Sequence, residues 1–185
     1  MNELHKLLIK IFKNSRFFPL KISGRKWYAV IREREERNSM ANIFDVAKYI
    51  LAKNGKMSTM KLQKLCYYAQ AWSLAWDDEE LFPEDFQAWA NGPVCRPLFD
   101  LRKGHFAIEE SDIPESKLSG HKFTPNQKDT IERVIKHYGG KSGQWLSTLT
   151  HMEDPWRESR GDCADGDHCE TIIQKERIGE YYASL

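Results

Sequence analysis

The sequence of 185 residues has no apolar run approaching the roughly 20 residues that a membrane-spanning helix needs. Cysteine is sparse. Cys66, Cys95, Cys163 and Cys169 are scattered with no Cys-x-x-Cys pair, a usage that argues against a disulfide framework and for reduced thiols in a cytoplasmic protein. The amphipathic start "LHKLLIKIF" is interrupted by lysines and has no small-residue cleavage site behind it, so it does not read as a secretory signal. There is no nucleophile elbow, no paired Cys-His signature and no internal repeat. "GGKS" at 139–142 lacks the first glycine of a phosphate loop and follows a helical pattern rather than a strand; it reads as a helix stop followed by a helix cap. Net charge is also nearly absent, at +1.

That small total hides an asymmetry. Residues 1–39 hold ten Lys and Arg against four Glu, whereas residues 40–185 hold eighteen basic against twenty-three acidic residues. A basic arm on a mildly acidic body suits nucleic-acid contact by the arm. A second explanation lies in coding: Met40 opens a clean helix start and follows the Arg-Glu-rich "IREREERNS", the product of purine-rich codons such as those of a ribosome-binding sequence. The expectation is a basic extension over 1–39, read as translated leader, and a body over 40–185. Within the extension, Leu4, Leu7, Leu8, Ile11 and Phe12 have helical spacing, and residues 17–31 have the pattern of a small hairpin around Ser23-Gly24.

What is present is a helix-forming body. Its hydrophobic content of 41% and six tryptophans are enough for a folded core. Asn42 with Asp45 predicts a capped helix whose apolar stripe is Ile43, Val46, Ala47, Ile50 and Leu51, stopping at Gly55. Ser58 or Thr59 then caps a long helix with Leu62, Leu65, Cys66, Ala69, Trp72 and Trp76 on one face. "DFQAWA" is a candidate short strand, and Asn91-Gly92-Pro93 a turn. Residues 104–120, broken by Pro114 and Gly120, read as a surface loop. Thr124, Pro125 and Gln127 open the clearest helix, which ends at Gly139. Ser142 caps a shorter helix, and residues 171–185 form a closing helix or helix pair, with Asp167 and Glu170 as its capping box. The fold class predicted is mainly α: one compact helical domain with at most a small β-hairpin, plus the short basic N-terminal extension.

Residues 150–160, "THMEDPWRESR", concentrate a histidine, two acids, two arginines and a Pro-Trp step. His151 with Glu153 or Asp154 supplies the residue types for acid–base catalysis, but nothing in the sequence indicates a pocket to hold them. Cys163, His168 and Cys169 with Asp162, Asp165 and Asp167 form one loose cluster, without the two ligand pairs of a zinc site or the alternation of a calcium loop. No metal and no cofactor is expected. The economical reading of 150–160 is a packed corner: the residue before Pro155 leaves helical space, Trp156 drops onto the body, and Arg157 or Arg160 pairs with Glu153 or Asp154.

Three stretches in series, "MKLQKLCYYAQAW" (60–72), "FQAWANGPVCRPLFD" (86–100) and "LTHMEDPWRESR" (149–160), together with the closing "ERIGEYY", resemble the Panacea domain of SocA-like antitoxins and GepA-like phage-associated proteins. The resemblance covers residues 40–185. It implies a non-enzymatic antitoxin, of phage, prophage or mobile-element origin, that neutralises a toxin encoded nearby by direct protein–protein binding, in one branch by delivering it to a cellular protease. The matching positions are Trp89, Gly92, Pro93 and Val94, with His151, Pro155 and Trp156. Trp89, Arg96, His151 and Trp156 are the candidate toxin-binding residues, because Trp and Arg are preferred interface anchors. Gly92, Pro93, Val94 and Pro155 are expected to be structural. The alternative reading is a DNA-binding transcription regulator using the basic N-terminal arm.

Overall fold

The computed structural model describes residues 40–164 and 166–185. The helical stripe at 4–12 and the hairpin pattern at 17–31 lie outside the described residues.

The first described helix, α1 (Ile43–Asn54), is capped at both ends by local chemistry. The Asn42 side chain accepts hydrogen bonds from the backbone N–H of Phe44 and Asp45 at 2.9 and 3.0 Å, and the Asp45 carboxylate accepts from the Asn42 backbone N–H at 2.8 Å. This reciprocal arrangement satisfies the otherwise orphaned first-turn donors. Gly55, at φ +72°, ends the helix and returns its N–H to the Leu51 carbonyl at 2.8 Å.

After β1 (Met57–Ser58), helix α2 (Thr59–Asp77) forms the centre of the domain. Ser58 caps it by accepting from the Lys61 backbone N–H at 3.2 Å. Of the predicted apolar face, Leu62, Leu65, Cys66 and Ala69 are buried, but Trp72 is only half-buried and Trp76 is exposed, while Gln63, Lys64, Tyr67, Tyr68 and Gln70 are buried too. Burial of polar atoms is costly unless they are paired. Gln63, Lys64 and Gln70 find their partners in backbone from elsewhere in the chain, whereas the buried Tyr67 hydroxyl has none among the described residues. Gln70 accepts from the N–H groups of Leu81 and Phe82 and donates to the Phe82 carbonyl at 3.1 Å.

The chain continues through β2 (Phe86–Trp89), β3 (Gly92–Val94), α3 (Arg96–Leu101) and β4 (Ala107–Ile108). Two 3-10 turns, Glu110–Asp112 and Glu115–Lys117, precede α4 (Pro125–Tyr138). Then follow α5 (Gly143–Met152), α6 (Asp154–Arg160), β5 (Ile172–Ile173) and α7 (Lys175–Ala183). Helices α1, α4, α5 and α7 surround α2. The Thr124–Gln127 capping box with Pro125 in the first turn opens α4 as the sequence predicts.

The body is mainly helical, but its strands exceed a single hairpin. β2 is the middle strand of a three-stranded antiparallel sheet, pairing Ala88 with Pro93 on one side and Phe86 with Ile173 on the other. A second antiparallel pair joins Met57 to Ile108 and Ser58 to Ala107. Runs of two residues have no periodicity to read, so the sequence signalled only β2 and its turn. For the same reason residues 104–120 contain β4 and the two 3-10 turns, and 171–185 is a strand followed by one helix. The capping box expected from Asp167 and Glu170 is absent: α7 begins at Lys175, and Gln174 precedes it without a side-chain cap bond.

Candidate functional site

The hairpin β2–β3, with its tip at Ala90-Asn91, is the point on which the three motifs converge. From α2, Gln63 donates to the Cys95 carbonyl at 3.2 Å and accepts from its N–H at 2.9 Å, closing a two-point clamp below β3. One residue on, the buried Lys64 ammonium donates to the Pro93 carbonyl at 2.9 Å. Among the described residues no carboxylate pairs with it, and burial lowers the Lys64 pKa from 10.5 to about 7. From α5, the Ser147 hydroxyl donates to the Asn91 carbonyl at 2.9 Å, and Thr150 lies against Gly92. From α6, the Trp156 indole N–H donates to the Trp89 carbonyl at 2.9 Å, and the Arg160 guanidinium donates to the Ala88 carbonyl at 3.0 Å. Arg160 also donates to the carbonyls of Ala164 and Asp167, so a buried cation is satisfied by backbone oxygens rather than by the acid pairing expected from sequence. Arg157, by contrast, pairs with Asp154 at the surface, as expected.

Gly92 has a steric role at this junction. Its φ is +94°, and a Cβ there would come within 2.5 Å of the Thr150 hydroxyl oxygen and 2.8 Å of the Lys64 Cε and Nζ. Only a glycine meets both the backbone angle and the close approach. Pro93, Val94 and Pro155 are all buried around it.

The four candidate binding residues divide by exposure. Trp156 is buried and stacks on the half-buried His151 ring at 4.1 Å, nearly parallel. Trp89 is half-buried, meeting Phe99 at 4.8 Å and His168 at 5.1 Å edge-on. Arg96 has 43% of its side chain exposed. It lies 5.8 Å over the Trp89 ring and is held by Asp100 at 3.0 Å and Glu170 at 3.1 Å. The structure thus joins Trp89 to Arg96 and His151 to Trp156, and links the two pairs through the hydrogen bond from Trp156 to the Trp89 backbone.

Behind this junction lies a group that the sequence offered as a partner of His151 or of an arginine and that the structure gives to tyrosines. Glu153, at the α5–α6 corner, is 6% exposed and surrounded by tyrosines. The Tyr182 hydroxyl donates to it at 2.7 Å, and the Tyr68 hydroxyl reaches both carboxylate oxygens at 3.3 and 3.2 Å. Burial raises its pKa from 4.5 to about 7, against the two hydroxyl hydrogen bonds that favour the ionised form. The signal for such a site is Tyr68 inside the central helix, since a buried phenol usually finds a polar partner.

Comparison with known proteins agrees with this arrangement. The family model described as "Antitoxin SocA-like, Panacea domain" matches residues 62–157, a span that runs from α2 through the clasped hairpin to the His151–Trp156 stack. No curated protein and no solved structure matches the chain. With a family match over more than half its length, this chain belongs to the SocA-like antitoxin, Panacea domain family.

Proposed function

We propose that the chain is the neutralising half of a toxin–antitoxin pair and acts by binding a cognate protein toxin directly, with Trp89 and Arg96 in the contact surface. The observation carrying this reading is the Trp89–Arg96 platform. The backbone beneath Trp89 is fixed by the Trp156 indole, and the Arg96 guanidinium is pre-positioned by two carboxylates. Rigid aromatic and arginine side chains on a fixed backbone lose little conformational entropy on association. Among the described residues no helix is long and apolar enough to cross a membrane, and we place the action in the cytoplasm, on a non-catalytic basis.

The test is co-expression with the product of the adjacent gene. Induction of that gene alone arrests growth, the full-length chain relieves the arrest, and a complex is recovered on purification. Arg96→Ala weakens both rescue and complex. Rescue accompanied by disappearance of the toxin, reversed when host proteases are inactivated, identifies the adaptor form, delivering toxin to a protease; an accumulating complex identifies sequestration. Absence of arrest, or arrest that the chain never relieves, sinks the proposal. Operator binding that vanishes when residues 1–39 are removed then favours the DNA-binding regulator, whose contact rests on the basic arm.

A further inference from the structure

Beside its core-facing stripe, α1 carries a second set of residues at helical spacing: Asp45, Lys48, Tyr49 and Ala52 share one side of the helix. The chain between the second 3-10 turn and α4 runs along this side, and between the two opens a cavity of about 230 Å³. Three rings line it, those of Tyr49, His121 and Phe123, together with Leu118, Asp45 and Glu110. Phe123 meets Tyr49 at 5.5 Å and 68°, and His121 at 5.7 Å and 78°. Rings set so steeply to one another form the walls of a cage rather than a flat stack.

The walls are held from behind. The Asp45 carboxylate accepts from the Ser119 backbone N–H at 3.2 Å and from the Ser119 hydroxyl at 2.5 Å, which ties the segment before α4 to α1. The His121 backbone N–H donates to the Ser119 hydroxyl oxygen at 3.1 Å, and the His121 Nε2 lies 3.1 Å from the Gln127 Oε1. The Tyr49 hydroxyl donates to Glu132 at 2.6 Å. Rings fixed before binding lose little entropy when the site is filled. Charge then selects the ligand. Asp45 and Glu110 are acids of the lining, whereas Lys48, also in the lining, is matched by Glu115. This balance repels an anion, and aromatic rings attract a cation through their quadrupole. Hydrogen bonding narrows the choice further. Asp45 already takes the Asn42 N–H at 2.8 Å besides both Ser119 donors, so little acceptor capacity is left for the many N–H groups of a guanidinium or a primary ammonium. A metal ion needs several oxygen ligands, and among the described residues no three His, Cys, Asp or Glu side chains gather as such a set.

We infer that this cavity binds an alkylated ammonium group, with Tyr49, His121 and Phe123 as the cage and the exposed Glu110 as its counter-charge. Such a cation has few or no N–H groups to satisfy and is weakly hydrated, so aromatic walls replace its water at little cost. The same headgroup is presented by a free quaternary amine and by a methylated lysine of a partner. The site is built from α1 and the segment before α4, not from the β2–β3 hairpin, and it stands independently of the toxin-binding reading.

The test titrates choline into the isotope-labelled full-length chain at about pH 8, where imidazoles are neutral, and follows backbone amide signals. The expected result is a saturable shift confined to residues 45–52, 110 and 118–123. The uncharged carbon isostere of choline, with a quaternary carbon in place of the nitrogen, binds at least about fivefold more weakly. Phe123→Leu, which removes one wall, weakens choline by a similar factor. Glu110→Gln, a change at an exposed side chain, also weakens it and leaves the thermal midpoint in place. A peptide carrying trimethyllysine identifies the source: binding tighter than choline assigns a partner's side chain, and binding no tighter assigns a free amine. Absence of any saturable shift overturns the inference. So does equal binding of the uncharged isostere, or a shift that maps outside the cavity.

Discussion

The indole N–H of Trp156 donates to the carbonyl oxygen of Trp89 at 2.9 Å, joining residues 67 positions apart in the chain. Through this bond α6 is fastened to the tip of the β2–β3 hairpin, and a buried tryptophan sets the position of a half-exposed one. Trp156→Phe replaces the indole with a smaller phenyl ring and removes the donor, leaving the Trp89 carbonyl short of a partner and a gap beside His151. The expected loss is at least about 2 kcal/mol in chemical denaturation, from the hydrogen bond and the buried volume together. Arg96→Ala removes surface ion pairs and is expected to cost under about 1 kcal/mol, while weakening toxin binding. Equal effects of the two substitutions on stability would contradict the division between support and contact surface.

Gly92→Ala tests the junction sterically. A Cβ would meet the Thr150 hydroxyl and the Lys64 side chain from a backbone at φ +94°. Strain and overpacking together predict a loss of roughly 3 kcal/mol or more, read as a lowered denaturation midpoint. A variant as stable as the parent would mean that the hairpin and α5 can separate freely.

Glu153 gives the body a pH dependence of definite sign. Its folded pKa is raised from 4.5 to about 7, so the folded state favours the protonated acid. The stability this contributes is fully present below the unfolded pKa and is lost as pH rises through about 7. Glu153→Gln removes the titration, so the variant gains on the parent between about pH 5 and about pH 8, by up to about 3 kcal/mol. Parallel denaturation curves that stay equally spaced across this range would refute it.

Lys64 acts in the opposite direction. Its folded pKa is lowered from 10.5 to about 7 by burial, so the folded state favours the neutral amine. Stability from this group is fully present above the unfolded pKa and is lost as pH falls through about 7. Lys64→Met is expected to flatten the rise in stability that the parent shows from about pH 7 to about pH 10, measured by denaturation at several pH values. A slope unchanged by the substitution would assign the rise to another group.

Much of the helical architecture was legible because its signals are local. Asn42 with Asp45, Ser58, Thr124 with Gln127 and Ser142 each cap the helix that follows, since a cap needs only a side chain and backbone N–H groups within one turn. The short strands were not legible. Ile172 and Ile173 form β5 only because β2 offers them an edge. The apolar stripe of α2 was visible, but not the burial of Gln63, Lys64 and Gln70, which depends on loops folding over the helix from 11 to 32 residues away.

At residues 150–160 the sequence by itself determined a corner, but the structure sets it one residue earlier than expected. Glu153 is extended (φ −96°, ψ 135°), Asp154 already opens α6 with Pro155 in its first turn, and Arg157 lies one turn from Asp154. Only the tertiary structure decided the partners of the rest. It gave Arg160 to three backbone carbonyls and Glu153 to two tyrosines. The physical reason is that a buried charge is held by whichever polar groups the surrounding elements bring to it, and those elements lie far off in the chain.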